Sequence, residues 1–147
     1  MVLSVSIQTN NMLKRFLFYG TLGWITEVMW TGLGSLLQGK WTLDSHTYLW
    51  MFPIYGLAVF LEPVHEEIRS GRWWVRGLVY MVLIFAIEFS TGYLLTAFIG
   101  QCPWDYSGSF FSWRGFIRLD YAPVWFTAGL LFEQIHDQFV RRYLGGW

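Results

Sequence analysis

The segments Glu62-Pro63-Val64-His65 and Glu133-Gln134-Ile135-His136 each place a glutamate three residues before a histidine, inside an otherwise apolar stretch. Residues three apart lie on one face of a helix, so each segment presents a carboxylate and an imidazole together. Two further apolar stretches hold one glutamate each, Glu27 and Glu88. The order along the chain, E, ExxH, E, ExxH, is the ferritin-like ligand order of the di-iron and di-manganese carboxylate bundles. The sequence therefore predicts a bundle of four helices.

The composition places these helices in a membrane. Hydrophobic residues make up 54% of the chain and charged residues only 14%, whereas charged residues are about 25% of a soluble domain. Each apolar stretch is close to the roughly 20 residues that a tilted helix needs to cross the hydrocarbon core. The stretches are 16–38, 47–64, 75–100 and 121–140. We therefore expect an all-α integral membrane protein, with four transmembrane helices in a single membrane domain of residues 1–147.

The basic residues predict how these helices are oriented. One side of the predicted membrane carries Lys14, Arg15, Arg69, Arg72, Arg76, Arg141 and Arg142, and the other carries Lys40, Arg114 and Arg118. The positive-inside bias then places both termini in the cytoplasm, in a multi-pass protein. The net charge is zero, so nothing in the charge indicates a nucleic acid as partner.

The ligand pattern occurs twice, which indicates that the chain contains an internal repeat. Pro53 precedes Glu62, and Pro123 precedes Glu133, at nearly the same distance, and polar residues follow each ExxH segment. We interpret this as two tandem helical hairpins, of about 13–70 and about 72–142. Since each hairpin has two spans, the repeat is parallel, about an axis along the membrane normal.

The repeat also predicts that all four glutamates lie at one depth. In an antiparallel hairpin, residues equidistant from the turn share a level. The midpoint of Glu27 and Glu62 falls near residue 44, and that of Glu88 and Glu133 near residue 110, both inside the connecting loops. Four carboxylates at one level repel each other, and no lysine or arginine is predicted at that depth. Protons or metal cations must then neutralise them.

Two divalent ions would balance four carboxylates, so we expect a di-metal site with two iron or manganese ions. The predicted ligands are Glu27, Glu62, His65, Glu88, Glu133 and His136. A nucleotide is not expected, because the chain has no GxxxxGK[ST] motif. The ligands alone leave open whether the chain is an enzyme.

Three classes of function fit these residues. The first is a membrane di-iron-type oxidoreductase that activates O2 and acts on an apolar, lipid-like substrate, with Tyr55 as a redox-active or supporting residue near the ligands. The second is a permease-like transport subunit that moves protons or divalent cations, with histidines that titrate near neutral pH. The third is a structural or accessory subunit, in which protonated glutamates join the helices. Membrane lipids are expected partners of all three, and a homodimer or a larger membrane complex stays open.

The loop of residues 101–120 carries a motif to which the sequence alone assigns no role: Cys102, Trp104, Asp105 and Tyr106. Aromatic residues alternate with arginines further along this loop, as in segments that lie in the membrane interface. The loop is therefore predicted to cap the bundle or to act as a gate. Cys102 is the only cysteine in the sequence, so no intrachain disulfide forms.

The same loop brings a resemblance to a known family. The string Cys102-Pro-Trp-Asp-Tyr-Ser107, after Glu88-Phe-Ser-Thr-Gly92 and before Asp120-Tyr121, resembles transmembrane protein 229. That group belongs to the CmpB-like family, labelled "putative ABC-transporter type IV". Pro53-Ile-Tyr-Gly56, together with Glu27, fits the same pattern, and the resemblance covers about residues 15 to 135. It implies a polytopic membrane protein with a transporter label.

Overall fold

The structure, a computed structural model, describes residues 2–144 and the side chains from residue 11 onward. The elements, in chain order, are α1 (Val2–Leu37), α2 (Met51–Gly56), a 3-10 segment (Leu57–Leu61), α3 (Glu62–Ile68), α4 (Trp73–Ile99), β1 (Ser112–Trp113), β2 (Ile117–Arg118), a 3-10 turn (Leu119–Tyr121), α5 (Ala122–Ile135), a π-helical turn (His136–Val140) and α6 (Arg141–Tyr143). The described chain is thus mostly helical, as predicted, and forms four helical stretches. The short antiparallel pair of β1 and β2 was not predicted.

The structure supports membrane association through one helix, α4. Among the described residues, α4 alone is long and apolar enough to span a membrane, judged by length and composition. Its 27 residues correspond to roughly 40 Å of helix, against about 30 Å of hydrocarbon core. Only 11% of its most apolar window is buried inside the chain, so most of this window is partly or fully accessible. The prediction of four transmembrane helices is therefore supported for this one helix.

The second and fourth helical stretches are interrupted by turns that are not α-helical. A 3-10 segment ends at Leu61, directly before Glu62, and Pro63 follows within the first turn of α3, where its missing N–H is tolerated. In the fourth stretch, the π-helical turn begins at His136. These interruptions leave neither stretch with an unbroken α-helix of spanning length. Both fall at the ExxH segments, and irregular helical turns of this kind are frequent at functional sites.

The chain divides into two compact units, residues 1–60 and 61–147. The predicted repeat boundary, near residue 71, falls later in the chain. In the first unit, α1 packs on α2, and glycines make the close contact. A Cβ on Gly23 would overlap the Tyr55 side chain, and one on Gly56 would overlap the ring of Phe16. Small residues let membrane helices approach closely in this way.

In the second unit, α4 packs on α5 with the same kind of contact. A Cβ on Gly129 would overlap the side chain of Tyr80, and a Cβ on Gly77 would overlap the ring of Phe126. These two contacts fix the lengthwise register of the helix pair. They also bury Tyr80 completely, at 0% exposure, next to the segments that carry the histidines.

The connection between α4 and α5, residues 101–121, is an ordered structure that we call the outer cap. Its strands pair Ser112 with Arg118 and Trp113 with Ile117. The buried Trp104 donates its indole N–H to the carbonyl of Phe116, at 2.9 Å. The cap therefore satisfies its own backbone groups instead of running as an open loop.

The glycine contacts lead to a first prediction. Gly129→Ala should lower the free energy of unfolding by about 1–3 kcal/mol, because the added methyl group must displace Tyr80 or part the two helices. The measurement is a denaturant titration in detergent, followed by circular dichroism. Gly34→Ala is the matched control, because a Cβ there meets nothing within 4 Å. Equal stability of the two variants would show that the α4–α5 contact is looser than described.

Candidate functional site

The two ExxH segments meet in the second unit. α3 contributes Glu62 and His65, while Glu133 lies near the end of α5 and His136 begins the π-helical turn. The two imidazole rings lie edge to face, with centroids 5.2 Å apart. Glu62 and both histidines are 0–1% exposed. The structure therefore gathers these four predicted ligands into one region, which we call the histidine cluster: Glu62, His65, Glu133 and His136, with their polar neighbours.

His65 lies between two oxygen-bearing groups. Its Nδ1 is 2.8 Å from the hydroxyl of Tyr80, and its Nε2 is 3.2 Å from a carboxylate oxygen of Asp137. Asp137 is an exposed residue, with 39% of its side chain accessible. The buried imidazole is thereby connected to the surface through one carboxylate.

His136 has a similar arrangement on the other side. Its Nδ1 is 3.6 Å from the carboxylate of Glu62, and its Nε2 is 3.9 Å from that of Glu66. The ring of Phe132, one helical turn earlier, stacks on the imidazole. Glu66 is 29% exposed, so the second imidazole also has a carboxylate between it and the surface.

Three residues offer ligand atoms close enough for a single metal ion. One atom each from His65, Glu66 and His136 lie within 4.8 Å of one another. Nitrogen and oxygen ligands bind transition metals at about 2.0–2.2 Å, so two ligands of one ion are at most about 4.4 Å apart. A contraction of a few tenths of an ångström would bring the three atoms into range. Glu66 was not among the predicted ligands, although it directly follows His65.

Glu133 is already engaged by an arginine. The Nε–H of Arg76 is shared between both carboxylate oxygens, at 3.0 and 2.9 Å, and a terminal nitrogen of the same guanidinium donates to the carbonyl of Gly71 at 2.6 Å. The expectation that no basic residue lies at this level is therefore wrong. Arg76 lies in the first turn of α4, from where its side chain reaches Glu133 near the end of the antiparallel helix α5. One of the four carboxylates thus needs no metal for charge balance.

A second arginine closes the exposed side of the cluster. Arg69 donates to Glu66 at 3.1 Å and to Asp137 at 3.1 Å, which joins the end of α3 to the π-helical turn. Arg141 lies 3.7 Å from Glu66. These cations face the carboxylates that separate the imidazoles from the surface.

Glu88 lies elsewhere in the second unit. Its two carboxylate oxygens accept hydrogen bonds from the hydroxyl of Tyr106, at 3.1 Å, and from the indole N–H of Trp125, at 3.3 Å. Trp125 precedes Glu133 by eight residues on α5, or about 12 Å along the axis. The equal-depth prediction therefore fails for Glu88 and Glu133. α5 is shifted along α4, and the outer cap fills the space beside the last turns of α4.

The remaining predicted residues belong to the first unit. Glu27 accepts a hydrogen bond from the hydroxyl of Thr47, at 2.8 Å. Tyr55 packs against Gly23 of α1.

Three neighbours of the histidines were not predicted from the sequence: Tyr80, Arg76 and Asp137. The sequence offered a signal for each of them. Asp137 directly follows His136, and Arg76 and Tyr80 lie four residues apart on one helical face.

The fold and the cluster define a helical, membrane-associated protein with a buried histidine–carboxylate site. A family model described as "Putative ABC-transporter type IV", the CmpB family, matches residues 15–146. The chain belongs to this family, as the resemblance of its loop motif indicated. No solved structure matches the chain.

The Arg76–Glu133 pair generates the second prediction. Arg76→Gln should lower the free energy of unfolding by about 3 kcal/mol, because it leaves a buried carboxylate without its cation. Arg76→Gln combined with Glu133→Gln should recover most of this loss, since the buried charge is then gone. A double-mutant cycle in detergent measures the coupling. Arg72→Gln, at an exposed position with no side-chain cap bond, is the control. Additive effects would contradict the pairing.

Proposed function

We propose that this protein is a multi-pass membrane transport protein whose histidine cluster binds one divalent transition-metal ion through His65, Glu66 and His136. The observation that carries the proposal is the convergence of two buried imidazoles and one carboxylate, within 4.8 Å of one another. Imidazole nitrogens with a carboxylate oxygen suit zinc, iron and manganese. The family description supports the transport setting.

The surroundings of the imidazoles support this assignment. A metal-binding histidine usually has its other ring nitrogen oriented by a carboxylate, carbonyl or hydroxyl group. His65 has the Tyr80 hydroxyl at 2.8 Å and the Asp137 carboxylate at 3.2 Å. Binding would replace one of these two partners with the ion, and the other would keep the ring oriented, so little ordering would be needed.

The charges favour one ion over two. Two of the three predicted carboxylate ligands in the second unit are already engaged, Glu133 by Arg76 and Glu88 by the outer cap. A di-iron site of the ferritin-like type uses glutamates at all of these positions as ligands. We therefore rank cation binding for transport above the oxidoreductase. Transport of protons by the same groups is the alternative if no metal binds.

The proposal includes four membrane crossings with both termini on the cytoplasmic side. The four helical stretches support it, as does the excess of basic residues on the side of the chain termini. The outer cap would then face the opposite side of the membrane.

Topology gives the third prediction. Cys102 is the only cysteine, so a membrane-impermeant thiol reagent should label the protein in right-side-out vesicles and not in inside-out ones. Cys102→Ser provides the background. Labelling from the cytoplasmic side would overturn the proposed orientation.

Metal content gives the fourth prediction. Protein purified in mild detergent without chelator should hold about one transition-metal ion per chain by mass spectrometry, and His65→Ala or His136→Ala should abolish it. His46→Ala is the matched control, because it removes the only other histidine and should keep the ion. Glu88→Gln should also keep it.

Two ions per chain, lost together in the histidine variants, would restore the di-metal hypothesis. Metal-free wild-type protein that also fails to bind added zinc, manganese or ferrous ions would refute the metal site. Proton flux in liposomes, compared between wild type and His65→Ala, would then test the alternative.

A further inference from the structure

The outer cap is a small structural unit seated on the last turns of α4. Its Trp104 is buried, the backbone N–H of Tyr106 donates to the carbonyl of Gly115 at 3.0 Å, and that of Leu119 donates to Phe111 at 3.0 Å. Gly115 needs its left-handed φ of +74° and lies beside Asp105, so a side chain there would disturb the turn. The cap therefore has internal bonds that hold its shape.

The contact of the cap with α4 is made by packing around a glycine. A Cβ on Gly92 would lie 3.1 Å from the ring of Phe116, 3.3 Å from Trp104 and 3.4 Å from the sulfur of Cys102. Phe89, three residues earlier, packs edge to face on Phe116. The contacts that the described residues make on this surface are apolar.

Glu88 makes a polar connection between the outer cap and α4. The Tyr106 hydroxyl comes from the cap and the Trp125 indole N–H from α5, and each donates to a different carboxylate oxygen. One carboxylate thus joins α4, α5 and the cap. Hydrogen bonds to a charged group are the stronger ones in proteins.

The first unit contains a similar hydrogen-bonding arrangement. Glu27 of α1 accepts the hydroxyl of Thr47, from the loop that follows α1, and Thr31 bonds the backbone of His46 in that loop. In both units, a glutamate of the long helix therefore accepts a hydroxyl group from the loop that follows it.

We propose that Glu88, Tyr106 and Trp125 form a carboxylate latch that holds the outer cap closed as a lid, and that breaking the latch lets the cap lift away from Gly92 and the end of α4. Gly100 would serve as one hinge, because it follows α4 with a left-handed φ of +82° and a Cβ there would meet nothing within 4 Å. The latch does not depend on metal binding, because its residues lie outside the histidine cluster.

Cys102 provides a direct reporter of cap opening. The thiol is half-buried against Gly92, and burial raises its pKa, which reduces the reactive thiolate at neutral pH. When the cap lifts, the pKa falls towards its ordinary value and the sulfur becomes accessible. The labelling rate therefore follows the open population when closing is faster than labelling.

The fifth prediction concerns the rate at which a small maleimide labels Cys102. The rate is measured on the full chain in detergent at fixed pH. Tyr106→Phe should raise the rate about tenfold, equivalent to about 1.4 kcal/mol. Glu88→Gln should raise it less than Glu88→Ala, because an amide has one acceptor oxygen for two donors. Tyr93→Phe is the matched control, because Tyr93 is an exposed tyrosine of α4. It should leave the rate unchanged.

The denaturant dependence of labelling separates a lid from general loss of stability. A local opening exposes little surface, so the rate in Tyr106→Phe should hardly change at low denaturant. A dependence as steep as that of global unfolding would overturn the lid. Labelling at the wild-type rate in both Tyr106→Phe and Glu88→Ala would overturn the latch.

Discussion

The ion pair of Arg76 and Glu133 is the constraint on which the arrangement of the second unit depends. A charge inside an apolar helix pair is costly unless a partner lies beside it. Glu133 is 5% exposed, so α4 and α5 must meet in a register that brings Arg76 to it. The close approach of Gly129 to Tyr80 fits this register. Once the register is set, His136 lies near the end of the pair where α4 begins, and Glu88 lies towards the other end.

This register decides what the histidine cluster can bind. Because Arg76 satisfies Glu133, the carboxylates left near the imidazoles are Glu62 and Glu66, with Asp137 towards the surface. Arg69 balances part of that charge by joining Glu66 to Asp137. An incoming cation would therefore compete with Arg69 for Glu66. Such competition would favour an exchangeable ion over a permanently held one, in agreement with the proposed transport.

The sequence predicted the helical class, the family and the grouping of the two ExxH segments, because these depend on residue type and helical spacing. It placed Glu88 beside Glu133 by assuming that the helices extend equally from the turn. That assumption failed because the outer cap packs along α4 and displaces α5, and a loop's own fold cannot be deduced from its length. The pairing of Arg76 was missed for a related reason. An arginine at the start of a predicted span was counted as an orientation signal and not as the partner of a carboxylate on another helix.

The positions of the polar groups along α4 and α5 also bear on the proposed transport. Arg76 and Glu88 are twelve residues apart on α4, or about 18 Å. Between them, α4 carries one polar side chain, Tyr80, and between Trp125 and Glu133, α5 carries one, Thr127. Thr127 donates back to the carbonyl of Pro123 in its own helix, at 2.8 Å. A cation at the histidine cluster therefore has no row of ligands to follow along this helix pair. For the proposed transport, movement of a cation past this helix pair would need a change in how the helices and the outer cap pack.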